Sequence, residues 1–132
     1  MMKTLFKTGN LLFKTYYIFL IFIISCGGSN TSKKFAGYKT TTVSYYADKF
    51  NGKKTSSGET YRHSKLTASN KALPFGTRVE IVNIENEKSV IVKVNDRGPL
   101  KSSREFDLSQ SAFKKIADLD DGVVKVKYRI LK

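Results

Sequence analysis

Apolar and polar positions follow two periods along this chain. Thr77-Arg78-Val79-Glu80-Ile81-Val82-Asn83-Ile84 alternates polar and apolar through its centre, the period of a half-buried strand. Glu85-Asn86-Glu87-Lys88 reads as a turn and Ser89-Val90-Ile91-Val92-Lys93-Val94 as a second apolar strand, so the two predict a hairpin. Thr41-Thr42-Val43-Ser44-Tyr45-Tyr46 is β-branched and aromatic and predicts a further strand, and Val123–Leu131 alternates again at the end of the chain. One segment changes period. Ser109 is a good N-cap, Ala112, Phe113 and Ile116 recur at helical spacing, and Lys114 and Lys115 suit the end of a short helix. Leu73-Pro74-Phe75-Gly76-Thr77 is a rigid turn that delivers the chain into the first hairpin strand. Several short strands and one short helix predict a small closed β-barrel.

The N-terminal pattern is different. Lys3, Lys7 and Lys14 precede or flank the apolar run Tyr16–Ile24, and no acid occurs before Asp48. That is the layout of an export signal, and the run is short of the roughly 20 residues a spanning helix needs. Ile23-Ile24-Ser25-Cys26 resembles the lipobox of bacterial lipoproteins. The resemblance implies cleavage before Cys26, acylation of its thiol, and anchorage in the bacterial cell envelope, at the periplasmic face of the outer membrane in a diderm. The expected division is a lipoprotein signal peptide over 1–25, a lipidated cysteine and flexible tether over 26–42, and one domain over 43–132. Cys26 is the single cysteine, which excludes an intrachain disulfide.

Charge narrows the partners. Lys and Arg total 24 against 11 Asp and Glu, a formal net charge of +13, of which the leader lysines supply three. A basic surface attracts polyanions. For an exported chain these are lipid headgroups, wall polymers and wall-peptide carboxylates rather than nucleic acid. No ligand set with metal spacing, no nucleotide-binding loop and no Ser-His-Asp set is present, so no metal and no cofactor is expected, and a monomer is.

Three carboxylates carry the chemistry. Asp96 lies in Asn95-Asp96-Arg97-Gly98-Pro99, where a strand pattern meets a turn. Asp107 lies between Phe106 and Leu108, where a charge is costly unless paired or used. Glu59 lies in the polar turn Ser56-Ser57-Gly58-Glu59-Thr60. Asp96 is the candidate acid/base, its pKa raised by burial and by Asp107 as a neighbour. Two readings compete. Arg97 facing Asp96 lowers that pKa instead, and Asp107 serves the backbone N–H groups at the helix start rather than a substrate. Tyr45 and Tyr46 alternate across a strand, so one faces the core and the other is free to stack on a sugar.

Taken in order, Ser44-Tyr45-Tyr46, Thr55-Ser56-Ser57-Gly58-Glu59, Leu66-Thr67-Ala68-Ser69, Leu73-Pro74-Phe75-Gly76-Thr77, Asn95-Asp96-Arg97-Gly98-Pro99 and Asp107-Leu108-Ser109 resemble the rare lipoprotein A (RlpA) family from about Val43 to Leu131. The resemblance implies an all-β fold, a six-stranded double-psi β-barrel with one or two short helices. It also implies lytic transglycosylase action on peptidoglycan glycan strands, leaving 1,6-anhydromuramyl ends. By motif, the catalytic carboxylates are Asp96 and Glu59, with Asp107 in an expansin-type Phe-Asp-Leu motif, and Asn70, Tyr46, Arg97 and Tyr45 bind substrate. Family members commonly carry His where this chain has Asn70, and an amide cannot transfer a proton at neutral pH. The alternative is a non-catalytic, expansin-like glycan-binding or septal scaffold module.

Overall fold

The structure is a computed structural model that describes residues 37–99 and 101–132. Cys26, the proposed leader and most of the proposed tether lie outside them.

Six strands close into one barrel. In chain order they are β1 (Lys39–Tyr45), β2 (Thr67–Asn70), β3 (Arg78–Asn83), β4 (Ser89–Asp96), β5 (Arg104–Leu108) and β6 (Val124–Ile130). Around the barrel they run β1-β5-β2-β4-β3-β6 and return to β1. The β1–β5 and β2–β4 pairs are parallel and the rest are antiparallel. Parallel neighbours need a crossover. These two crossovers bring β2 and β5, far apart in sequence, side by side in the middle of one wall.

Strand alternation builds the core. Val79, Ile81, Val90, Val92, Val94, Phe106, Leu108 and Val126 point inward and are buried, while Ile91 and Lys93 between them face out. The predicted hairpin forms with Val79 opposite Val92 and Ile81 opposite Val90. The predicted helix is short: α1 runs over Gln110–Lys114, and the Ser109 hydroxyl accepts from the Ala112 N–H at 3.2 Å as its N-cap. Ala112, Phe113 and Ile116 plug the barrel on this side with no exposure. Truncating Phe113 to Ala would cost about 3–5 kcal/mol. The loose end behind α1 is tied to the hairpin, where Asn83 Nδ2 and Asn86 Nδ2 both donate to the Ile116 carbonyl, at 2.7 and 3.0 Å.

Two sequence expectations change here. The first strand, predicted over 41–46, runs over Lys39–Tyr45, and Lys39–Thr42 pair with β6, Thr42 opposite Lys125, because their β-branched threonines continue the ladder. Asp107 does not cap the helix: it is a rung of β5, paired with Ser44 and Ser69, and Ser109 takes the cap.

Candidate active site

One rung of the wall carries both buried-type carboxylates. Asp107 on β5 is opposite Ser69 on β2, and Ser69 is opposite Asp96 on β4. Partners in a sheet project to the same face, and strands lie about 4.8 Å apart, so the two aspartates stand roughly 10 Å apart at their Cα atoms. Alternation aims Asp107 outward because Phe106 and Leu108 on either side point into the core. A register shift aims Asp96. Ala68 pairs with Val94 but Ser69 pairs with Asp96, so Asn95 is the extra residue of a β-bulge. The rung opens into a groove of about 540 Å³ whose walls include Tyr46, Phe50, Arg97, Pro99 and Arg104.

Asp96 is surrounded by donors. Tyr46 Oη donates to Oδ2 at 2.6 Å, and the backbone N–H groups of Ser56 and Arg97 each donate to Oδ1 at 2.9 Å. Burial pushes its pKa up, but the hydrogen bonds from Tyr46, Ser56 and Arg97 together outweigh it and hold the carboxyl below the usual carboxylate range. Tyr46 is itself locked. Its ring stacks on Tyr61 at 4.3 Å between centroids and meets Phe50 edge-on at 5.9 Å. Burial, and then the bond to Asp96, drive the Tyr46 phenol far above its ordinary pKa, so it stays a donor. Ser69 also hydrogen-bonds Tyr46, and accepts from the Asp107 N–H at 3.4 Å, which joins the two ends of the rung.

Asp107 lives under the opposite conditions. Its side chain is 21% exposed, and its Oδ1 has no hydrogen-bond partner. Arg104 Nε lies 3.3 Å from that oxygen without hydrogen-bonding geometry. Burial raises the Asp107 pKa and the Arg104 charge only partly offsets it, leaving the carboxyl above its usual range. The raised pKa expected at Asp96 is therefore found at Asp107, and neither aspartate is a significant influence on the other.

The remaining candidates divide. Arg97 does not face the Asp96 carboxylate: its guanidinium donates to the Leu73 carbonyl at 2.9 Å and the Asn70 carbonyl at 3.3 Å, and lies 4.0 Å above the Phe75 ring. Only its backbone serves Asp96. Asn70 is buried and committed to the fold. Its Oδ1 accepts from the Ala72 and Leu73 N–H groups at 3.0 and 2.9 Å, and its Nδ2 donates to the Glu105 carbonyl at 2.9 Å. It lines neither cavity described here. Tyr45 borders the groove but turns its hydroxyl to the Leu119 carbonyl and its ring to Phe113. Glu59 ends the segment 55–59, which the Ser56 and Ser57 N–H groups fasten to Asp96 and Asn95, and it lines a different pocket from the aspartates. It pairs with Lys93 at 2.8 Å and accepts from Asn95 Nδ2 at 3.0 Å, and these bonds lower its pKa. Ser69, Arg104 and Tyr61 were not singled out from sequence. Ser69 and Arg104 become visible only once β2 and β5 are known to be neighbours. Among the described residues no group of three or more His, Cys, Asp or Glu is placed to hold a metal ion.

A six-stranded double-psi barrel with two aspartates on one outer rung defines the class: a small barrel module carrying its acidic site in an open groove on the wall. Residues 38–128 match the family described as lytic transglycolase, and the chain belongs to that family, in its RlpA group. It is 39% identical over 112 residues, 85% of this chain and 49% of the relative, to the "Probable endolytic peptidoglycan transglycosylase RlpA" of Aquifex aeolicus. It is 48% identical over 86 residues, 65% of this chain and 25% of the relative, to the "Endolytic peptidoglycan transglycosylase RlpA" of Pseudomonas aeruginosa. The chain thus spans from about a quarter to about half the length of these curated relatives. Among solved structures, the Streptomyces papain inhibitor is similar with a TM-score of 0.60 and 26% identity, covering 74% of this chain and 97% of that one. The Clavibacter michiganensis expansin, at a TM-score of 0.59 and 14% identity over 72% of this chain and 50% of that one, shares the fold.

Proposed function

We propose that the protein is a peptidoglycan lytic transglycosylase, acting on glycan strands in the bacterial cell envelope. The observation that carries this is the rung itself: two aspartates facing one groove, one ionised by donors and one held toward its acid form by burial. Environments that push two carboxyl pKa values apart divide the acid and base roles between them. The protonated Asp107 gives its proton to the glycosidic oxygen as the bond from the muramyl C1 breaks. The muramyl O6 closes on C1, and the Asp96 carboxylate takes the O6 proton. No water is consumed, and solvent returns the proton from Asp96 to Asp107. Tyr46 holds Asp96 in place and keeps it ionised. Phe50 and Phe75, both partly exposed beside the groove or beside Arg97, offer faces for sugar stacking. Glu59 assists from the neighbouring pocket, and acyl chains on Cys26 hold the protein to the membrane.

A second reading, a glycan-binding module without turnover, is favoured by Asn70, whose amide is fully occupied by backbone where relatives are expected to carry a titratable imidazole. One assay separates the two. Full-length protein is incubated with intact and amidase-stripped peptidoglycan, and products are examined by mass spectrometry. Anhydromuramyl ends that vanish in Asp96→Asn support the enzyme. Glycan that binds and is recovered uncut supports the module.

A further inference from the structure

The chain's only histidine lies outside the groove, in a cluster of titratable side chains that the chemistry above does not use. Behind the Tyr46 ring, four residues from three parts of the fold close a ring of hydrogen bonds. Asp48 comes from a 3-10 turn over Asp48–Phe50, Tyr61 and His63 from the loop before β2, and Gln110 from the start of α1. Tyr61 is 2% exposed, and a hydroxyl on so deep a ring needs partners for its oxygen and its proton. The Gln110 N–H donates to Tyr61 Oη at 3.3 Å, and His63 Nδ1, 2.8 Å away, takes the phenol proton. That makes Nδ1 the bare nitrogen of the neutral imidazole and turns Nε2–H toward Asp48 Oδ1, at 3.4 Å. Gln110 completes the ring. Its Nε2 donates to Asp48 Oδ1 at 2.8 Å and to the Tyr46 carbonyl at 3.1 Å, and both of these partners only accept, which fixes the way the amide is turned. The His63 backbone is pinned as well: its N–H donates to Asn51 Oδ1 at 3.1 Å, and its carbonyl accepts from the Ser111 N–H at 3.0 Å.

Tyr46 is held by this ring twice. Its own ring stacks on Tyr61 with the planes 22° apart, and its carbonyl is gripped by Gln110. Between those two holds its hydroxyl reaches Asp96 Oδ2 at 2.6 Å, a bond that weakens steeply once its distance or angle is disturbed. None of the four residues lines the groove, and none lines the smaller pocket of about 350 Å³ that holds Glu59, so none of them meets a glycan there. We propose that His63, Tyr61, Gln110 and Asp48 are positioning residues for the acid/base pair, holding Tyr46 so that its hydroxyl stays on Asp96. The other groups that face Asp96 are the Ser56 and Arg97 N–H groups, Asp107 across the rung, and the cations Lys54, Lys101 and Arg104 that line the groove. The effect on turnover rests on the glycan reading of the groove; the effect on the Asp96 carboxyl does not.

A single histidine makes the first test direct. In the full-length chain at about pH 8, where an ordinary imidazole is neutral, the ¹⁵N NMR signals of His63 are expected to show Nδ1 bare and Nε2 protonated. The reverse tautomer overturns the proposal, because the Tyr61 proton would then have no acceptor. The second test follows the Asp96 carboxyl carbon through a pH titration. His63→Phe is expected to move that titration to higher pH, and His63→Gln, whose amide oxygen accepts from Tyr61, to restore it. Tyr61→Phe keeps the stacked ring and removes only the hydroxyl, so it carries the same test where His63→Phe does not fold. An unchanged Asp96 titration in either folded Phe variant overturns the proposal. In turnover, His63→Phe is expected to lower kcat/KM on the acid limb by about threefold, the effect of weakening one hydrogen bond, with KM for glycan unchanged. In a Tyr46→Phe background it should cost nothing further, and an equal second loss overturns the coupling. Anhydro products with an Asp96 titration indifferent to His63 sink the positioning and leave the enzyme. A moved Asp96 titration without products from wild type keeps the positioning and sinks the enzyme.

Discussion

The two ends of the aspartate rung have the same side chain, lie on the same face and are joined through Ser69, yet their surroundings push them opposite ways. Asp96 sits where a bulge, a turn and a crossing segment converge, so backbone N–H groups and a tyrosine hydroxyl point at it. No donor is placed to hydrogen-bond Asp107 Oδ1 on β5, and Arg104 is the charge that lies beside it. Backbone N–H groups outside the ladder serve one carboxylate, and none serves the other. That contrast moves the two carboxyl pKa values in opposite directions. A like-charged neighbour about 10 Å away across two strands has little part in it.

The sharpest way to break the comparison is to remove each carboxylate in turn. Asp96→Asn and Asp107→Asn should each lower anhydromuramyl product formation by about 100-fold or more while binding of stripped glycan persists, as expected for lost proton transfer. Full activity in either variant would remove that residue from the chemistry. Next in size is Tyr46→Phe. Losing the 2.6 Å bond lets the Asp96 pKa rise, so the acid limb of the kcat/KM profile moves to higher pH, with a loss of about tenfold on that limb. Arg104→Gln acts at the other end. Without the guanidinium the Asp107 pKa rises further and the alkaline limb moves up, changing the peak rate by only about a factor of a few. One substitution narrows the profile and the other widens it. Two variants that move the same limb would show that a single carboxyl controls both.

How far the sequence carries can be read from the same residues. The hairpin of β3 and β4 was legible because its two halves alternate over adjacent segments and a polar turn separates them. The helix start at Ser109 was legible from the cap alone. β2 and β5 are only four and five residues long, one nearly continuous in burial, and no period emerges from so few positions; motif resemblance, not patterning, gave the strand count of six. The site was half legible. Asp96 and Asp107 stood out by their neighbours, but their roles depended on donors from Tyr46 and Ser56, forty or more positions away, and on the direction of Arg97. A charge between two apolar residues looked like a cost to be explained. In a strand it is the ordinary consequence of alternation. Asn70 looked like a lost functional group, whereas its three hydrogen bonds show it holding the turn at 70–73 that Arg97 also grips.

The smallest effect is also the most diagnostic, because it needs no substrate. An unfolded aspartate titrates near about pH 3.9. Asp96 has a lower pKa when folded, so it stabilises the protein above that pH, and its contribution fades as pH falls through the folded value. Asp107 has a higher pKa when folded, so its contribution is present below that pH and is lost as pH rises through the folded value. Asparagine imitates the protonated form of each. Melting curves between about pH 3 and pH 7 should therefore diverge: the Tm of Asp96→Asn falls further below wild type as pH rises, and the Tm of Asp107→Asn climbs relative to wild type over the same range. Parallel curves would mean that the two ends of the rung are electrostatically alike. The division of acid and base between them would then have no physical basis, whatever the activity assay shows.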